Sequence, residues 1–264
     1  MNQVDNDQIR EAVRERYSAI ATEVESCGCG SSCCEPTEED RPSVSSQLGY
    51  SDDDLATLPD GADMGLGCGN PMVIAALRLG EVVVDLGSGG GLDCFLAAQR
   101  IGSEGRAIGV DMTPAMISKA RLNAQRGGFE NVEFRLGEIE NLPIPDSSVD
   151  VVISNCVVNL SPDKPQVFRE VFRVLRPGGR IAISDVVAFA DIPDSAKQDV
   201  TMYSACIAGA STVVEVDKML HDAGFIEIRI EPKFESSSFM KDWAPGAEIT
   251  DYVVSAVIAA TKPL

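Results

Sequence analysis

The stretch "VVVDLGSGGGLD", Val82–Asp93, decides the fold. A β-branched run ends on Asp85, glycines follow at 87, 89, 90 and 91, and a helical pattern opens almost at once. Strand, glycine turn and helix in that order let backbone approach a ligand closely and aim helix N–H groups at it. Working outward, apolar runs at 81–86, 106–110, 132–136, 149–154 and 180–187 read as strands, with helical patterns at 92–101, 114–126 and 164–175 between them. Helices around 194–207 and 212–222 and two last strands, "FIEIRIE" and "YVVSAVIAATK", complete the chain. Such alternation predicts a mostly parallel, seven-stranded α/β sheet with helices on both faces. Upstream, Ile9, Val13, Tyr17 and Ile20 have the spacing of an amphipathic helix. Residues 25–43, "ESCGCGSSCCEPTEEDRPS", are a loop by composition. Asn70 before Pro71 predicts a helix over "PMVIAALRL".

The 264 residues fit one domain with an appendage or two modest domains. No apolar run reaches the ~18 residues of a membrane span, and the N-terminus lacks a signal-peptide pattern, so the expectation is a cytoplasmic protein. A net charge of −19 repels nucleic acid and anionic membranes but not a neutral small molecule. Eight cysteines in a cytosolic chain point to metal binding or thiol chemistry, although buried free cysteines are also ordinary packing.

At the carboxyl end of the second strand, Asp111 can accept hydrogen bonds from a ribose; alternatively it only caps the helix opening at Thr113–Pro114. Glu138, beside Gly137, is a second acidic position at this edge or a solvated loop charge. The turn reads GxGGG rather than GxGxxG, which fits a dinucleotide dehydrogenase poorly. His221, the one histidine, sits near a helix C-terminus as a surface residue would. A nucleophile with a free lone pair needs no such base. Cys156 follows the fourth strand, Cys68 lies in "GLGCGNP", and Cys206 lies in "YSACIAGAS" after the fifth strand. Three thiolates converging at one sheet edge suit a soft pyramidal centre, whereas tetrahedral zinc wants a fourth Cys or His. Cys94, inside the helix after the turn, reads as packing.

DxGxG, an acid closing strand two, "GEIENLP" and "FREVFRVLRPGGRIAISD" together resemble the class I S-adenosylmethionine-dependent methyltransferases over residues 71–264. "GLGCGNP", "DLGSGGGLDCFLAA", "GVDMTPAMI", "SNCVVNLSPDKPQVFREVFRVLRPGG" and the Cys206 segment closely resemble the microbial arsenite methyltransferases. The resemblance implies a Rossmann-like methyltransferase domain over 71–264, with 190–224 as a cap. Residues 1–70 would be an N-terminal helix and Cys-rich segment contributing to the site. It implies S-adenosylmethionine held by Asp85, Gly87, Ser88, Gly89, Asp111, Met112, Gly137, Glu138, Ile139 and Asn155, and trivalent arsenic held by Cys68, Cys156 and Cys206. It further implies arsenic detoxification, with a disulfide formed after each methylation and reopened by a thioredoxin- or glutathione-type thiol. Cys33 or Cys34 could relay that disulfide, and Cys27 and Cys29 match the family's N-terminal cluster loosely. Two rivals stay open: a methyltransferase acting on carbon or nitrogen of a small metabolite, and a thiol-rich metalloid-binding protein without turnover.

Overall fold

The computed structural model describes residues 6–23, 44–193, 202–203, 206–236, 240 and 251–264. Cys27, Cys29, Cys33 and Cys34, and most of the expected 194–207 helix, lie outside the described residues.

The strands are β1 (Val82–Leu86), β2 (Arg106–Asp111), β3 (Val132–Leu136), β4 (Val149–Asn155), β5 (Leu175–Ala188), β6 (Ser211–Thr212), β7 (Ile226–Lys233) and β8 (Val253–Thr261). They form one sheet in the order β3-β2-β1-β4-β5-β8-β7, with the short β6 beside the end of β5. The neighbours β3-β2-β1-β4-β5 pair in parallel, and β8 runs antiparallel to both β5 and β7. All seven expected strands are present; the two-residue β6 is an addition.

Helices are α1 (Asn6–Glu23), α2 (Val44–Gln47), α3 (Asp52–Ala56), α4 (Met72–Ala75), α5 (Leu92–Ile101), α6 (Pro114–Gly127), α7 (Lys164–Val174) and α8 (Val213–Ala223). One apolar cluster, with Val84, Val152, Phe168 and Ile183, lies on the α7 and α8 face; the other, with Phe95, Ile117, Phe134 and Ile153, lies under α5 and α6. Burying a Leu- or Phe-sized side chain contributes about 1.5–3 kcal/mol, so these two layers fix the sheet. Helix α8 starts on a reciprocal capping box between Thr212 and Glu215. The helix expected over "PMVIAALRL" is one turn only. The Arg180 guanidinium takes the carbonyls of Ala75 and Ala76 at 2.7 and 2.8 Å, and Ala76 turns left-handed at φ 45°.

Strand order reverses at β1, whose neighbours β2 and β4 run onward to opposite edges of the sheet. In open α/β sheets the crevice outside the strand carboxyl ends at that switch point is where ligands bind. A third apolar cluster caps this end and unites α1 with the cysteine positions: Val13, Cys68, Cys156, Leu160 and Cys206 are buried together, with Ile9 and Tyr17 packed against them. The amphipathic stripe of α1 therefore lies over the sheet edge.

Candidate active site

A cleft of about 1090 Å3, counting its open mouth, lies at the switch point. Its wall includes Asp85, Gly87, Ser88, Gly89, Asp111, Met112, Ile139, Asn155 and Cys156. The turn after β1 is tight on all sides. Gly87 has φ +66°, and a Cβ there would meet Val157 at 2.4 Å. A Cβ on Gly90 would meet the Gly61 and Ala62 carbonyls at 2.8 Å, so only glycine lets these segments close on each other. Asp111 ties the turn to β2: its carboxylate accepts from Gly89 N at 3.0 Å and Thr113 N at 2.8 Å. The ribose and capping expectations for Asp111 are thus compatible, since two oxygens offer about four acceptor sites. Burial raises its pKa, and those two amides act in the opposite direction.

Asp85 and Asp93 are buried on the same wall. Burial first, then the charge of Asp93, holds Asp85 well above the usual carboxylate range. Burial pushes Asp93 up to about 6 against the hydrogen bond from Tyr50. Cys94 packs behind them, with its thiol 3.5 Å from Asp85 Oδ2. Among the described residues, the buried Ser88 hydroxyl finds no hydrogen-bond partner. An orphaned polar atom on a cleft wall, beside a glycine cradle and acidic strand ends, fits a polar nucleoside-bearing ligand.

Gly137 and Glu138 stand apart from this wall. Pro143 occupies the space beside Gly137 at 2.8 Å from its would-be Cβ. Glu138 turns to α1, where Arg14 reaches it at 3.3 Å and Arg10 at 3.8 Å. Arg10 also pairs with Glu140 at 3.4 Å, and Ser161 donates to Glu140 at 2.6 Å. These acids serve to dock α1 at the mouth of the cleft.

The cysteine positions converge from three elements. Cys156 follows β4 with φ 59°, and Cys206, in the turn after Tyr203, has φ 63°. Left-handed backbone at non-glycine residues costs about 1–3 kcal/mol and persists where surrounding structure enforces it. Here the enforcing bonds are Cys156 N to Ser184 O at 2.8 Å and Cys206 N to Tyr203 O at 3.0 Å. The Cys206 thiol donates to the Cys156 carbonyl at 3.0 Å. The sulfurs of Cys68 and Cys156 and a carboxylate oxygen of Asp185 all lie within 4.8 Å of one another. Cys156 is on the cleft wall, while Cys68 and Cys206 are buried behind it. Hydrogen bonding with the Cys206 and Cys68 sulfurs, added to burial, pushes the Cys156 thiol well above its ordinary pKa; burial raises Cys68.

Asn155 joins the two halves of the site. Its Oδ1 accepts from Cys68 N at 2.9 Å, and its Nδ2 donates to Gly69 O at 2.8 Å and to Tyr50 Oη at 2.9 Å. Tyr50 in turn donates to Asp93 at 2.7 Å. Tyr50, Asp93 and Asp185 were not singled out from the sequence. The register shows why Asp185 lies at the site: it follows Ser184, which pairs with Asn155, just as Cys156 follows Asn155. His221 is exposed on α8, facing Asp217 at 3.8 Å and away from the cleft.

A Rossmann-like sheet with a glycine turn, strand-end acids and an orphaned serine marks a nucleoside-cofactor-binding domain, and the family comparison gives its class: residues 77–224 match the family described as "Methyltransferase domain". Over 98% of its length the chain is 54% identical to an arsenite methyltransferase of Halobacterium salinarum, of which it covers 68%. It is 43% identical over 171 residues to the arsenite methyltransferase of Aquipseudomonas alcaligenes, a match covering 62% of this chain and 49% of that protein. The arsenic(III) S-adenosylmethionine methyltransferase of Chlamydomonas reinhardtii superposes with a TM-score of 0.62 at 33% identity, over 84% of this chain and 74% of that one. The chain belongs to the S-adenosylmethionine-dependent methyltransferases and, within them, to the arsenite methyltransferase family. No helix among the described residues is long and apolar enough to cross a membrane.

Proposed function

We propose that this chain methylates trivalent arsenic at the cysteine cluster, with S-adenosylmethionine held in the adjoining cleft. The observation that carries the reading is the convergence of Cys68, Cys156 and Cys206 at the carboxyl edge of β4, against the wall that also holds Asp85 and Asp111. Arsenite is uncharged near neutral pH, so a surface of −19 does not repel it. Each arsenic–oxygen bond exchanges for arsenic–sulfur as the thiol proton leaves with hydroxide as water. That exchange creates no net charge. Thiols held protonated, Cys156 by hydrogen bonding with the neighbouring sulfurs and Cys68 by burial, therefore suit it better than free thiolates would.

The residues lining the cleft would hold the cofactor: Gly87, Ser88 and Gly89 by the turn, Asp111 with Met112 at the end of β2, Ile139 and Asn155 opposite. When bound, the cofactor supplies an electrophilic sulfonium methyl. What the protein contributes is position. The Asn155 clamp fixes the Cys68 loop, the left-handed turn at Cys156 aims its thiol at the cleft, and α1 covers the cluster and excludes water. Arsenic that accepts a methyl becomes formally pentavalent, and its return to the trivalent state needs two electrons. Two cysteines give them by forming a disulfide, which an external thioredoxin- or glutathione-type dithiol reopens. Cys33 or Cys34 relays that disulfide in this reading, with 1–70 serving the methyltransferase domain of 71–264 and 190–224 capping it. The cellular role would be detoxification of arsenic in the cytoplasm.

The test is arsenic speciation after incubation with arsenite, S-adenosylmethionine and a thiol, run beside Cys156→Ser. Methylated arsenicals from the wild type alone support the reading. Equal product from Cys156→Ser overturns the thiol's role, and no methylated arsenic from either overturns the reaction.

A further inference from the structure

Among the described residues, the donor set nearest to closing on a single ion is not the three cysteines but Cys68, Cys156 and Asp185. Asp185 is 2% exposed and fully oriented: Oδ1 accepts from Val186 N at 2.7 Å and Asn159 Nδ2 at 2.9 Å, and Oδ2 from Asn159 N at 3.4 Å. Cys68 is pinned through both backbone groups, its N–H to Asn155 Oδ1 and its carbonyl to Ser255 Oγ at 2.7 Å. Outer-shell bonds of this kind orient the ligands of metal sites. The neighbouring Lys164 acts on Asp185 through its charge.

Trivalent arsenic has little use for this carboxylate, because the arriving species is neutral and a third sulfur, Cys206, stands beside Cys156. A dication has every use for it. Zinc–sulfur bonds of about 2.3 Å and zinc–oxygen bonds of about 2.0–2.2 Å put tetrahedral donors about 3.5–3.8 Å apart. Separations within 4.8 Å lie about 1 Å from that geometry. Two thiolates and a carboxylate carry three negative charges against the dication's two, the remaining one facing the Lys164 charge, and both thiol protons leave to solvent.

We propose that Cys68, Cys156 and Asp185 bind Zn2+, with the fourth ligand taken from the cleft that Cys156 lines, in a mode mutually exclusive with arsenic at Cys68, Cys156 and Cys206. Asp185 then discriminates between occupants, favouring the charged cation, while Cys206 favours the metalloid. Zinc in the cluster blocks arsenite capture, and arsenite expels zinc. The zinc mode does not rest on the arsenic reading, because it is measured without arsenite.

The experiment is a Zn2+ titration of the full, reduced chain against a chromophoric chelator. It is run with Cys27, Cys29, Cys33 and Cys34 changed to Ser so that these thiols do not compete for the metal. Asp185→Asn should weaken Zn2+ about tenfold or more and change arsenite binding less than about threefold. Cys206→Ser should do the reverse. Unchanged Zn2+ affinity in a folded Asp185→Asn overturns the proposal. If that variant fails to fold, Co2+ in the wild-type site decides: charge-transfer intensity of two thiolates, unaltered in Cys206→Ser, supports it. Three-thiolate intensity that falls in Cys206→Ser overturns it. Zinc bound in an Asp185-dependent way by a chain that ignores arsenite would sink the arsenic reading and leave this one standing.

Discussion

Replacing Asn155 by Ala removes three hydrogen bonds at once: to Cys68 N, Gly69 O and Tyr50 Oη, all 2.8–2.9 Å. At about 1 kcal/mol net for each bond the loss is about 3 kcal/mol. The true cost sits toward the upper side, because Cys68 is 1% exposed and its N–H loses its partner in a place water does not reach. The amide also packs against Gly67, where Nδ2 stands 2.6 Å from a would-be Cβ, so its removal leaves a hole under the loop. For a chain of this size, about 3 kcal/mol lowers Tm by roughly 6–12 °C. Part of the cost falls on the site itself. If about 1.4 kcal/mol of it goes to freeing the Cys68 loop, arsenite binds about tenfold more weakly. Tyr50→Phe breaks the same chain at its next link, so the two changes should be non-additive by about 0.5–3 kcal/mol. Thermal denaturation and equilibrium dialysis of arsenite on the two single variants and the double variant measure all of this. A Tm within about 1 °C of wild type and an affinity within about twofold, for Asn155→Ala, would refute the coupling between cleft and cysteine loop.

Three further outcomes are expected. Gly90→Ala forces a methyl against two backbone carbonyls that cannot rotate away, and should abolish measurable S-adenosylmethionine binding by calorimetry, with a stability loss of about 1–3 kcal/mol. Asp93 has a folded pKa of about 6 against an ordinary 3.8. A carboxyl raised in this way takes up its proton on folding between those values, so stability should rise as pH falls from about 7 to about 5, and Asp93→Asn should flatten that slope in a Tm-versus-pH series. Val13→Asp places an unpaired carboxylate in the cluster that α1 seals, and should speed alkylation of Cys156 at least about tenfold, read by mass spectrometry of the labelled peptide.

The sheet was legible because its strands are short apolar runs punctuated by glycine, and the switch-point crevice followed from their alternation. The place of Cys156 was legible, since a thiol immediately after a buried parallel strand has only the carboxyl edge to occupy. Helix α1 was legible as an element but not in its docking. Its apolar stripe says that something is covered, whereas Arg10 meeting Glu140 across 130 residues decides what. The short α4 illustrates propensity yielding to tertiary contacts: a good helix pattern stops because Arg180 claims its carbonyls. Tyr50 and Asp93 escaped because their partnership spans 43 residues: Asp93 closes the glycine-turn stretch, but nothing in that stretch points to Tyr50. For Glu138 the sequence left a cofactor-edge acid and a solvated loop charge both open, and what it could not show is that two arginines on α1 pair with it.

The most direct test of the central claim is X-ray absorption at the arsenic edge on arsenite bound to the reduced chain, wild type beside Cys206→Ser. Three sulfur neighbours in the wild type, and two sulfurs with one oxygen in the variant, are the result expected of a cluster in which Cys68, Cys156 and Cys206 share one arsenic. Arsenic with the same neighbours in both proteins would contradict it.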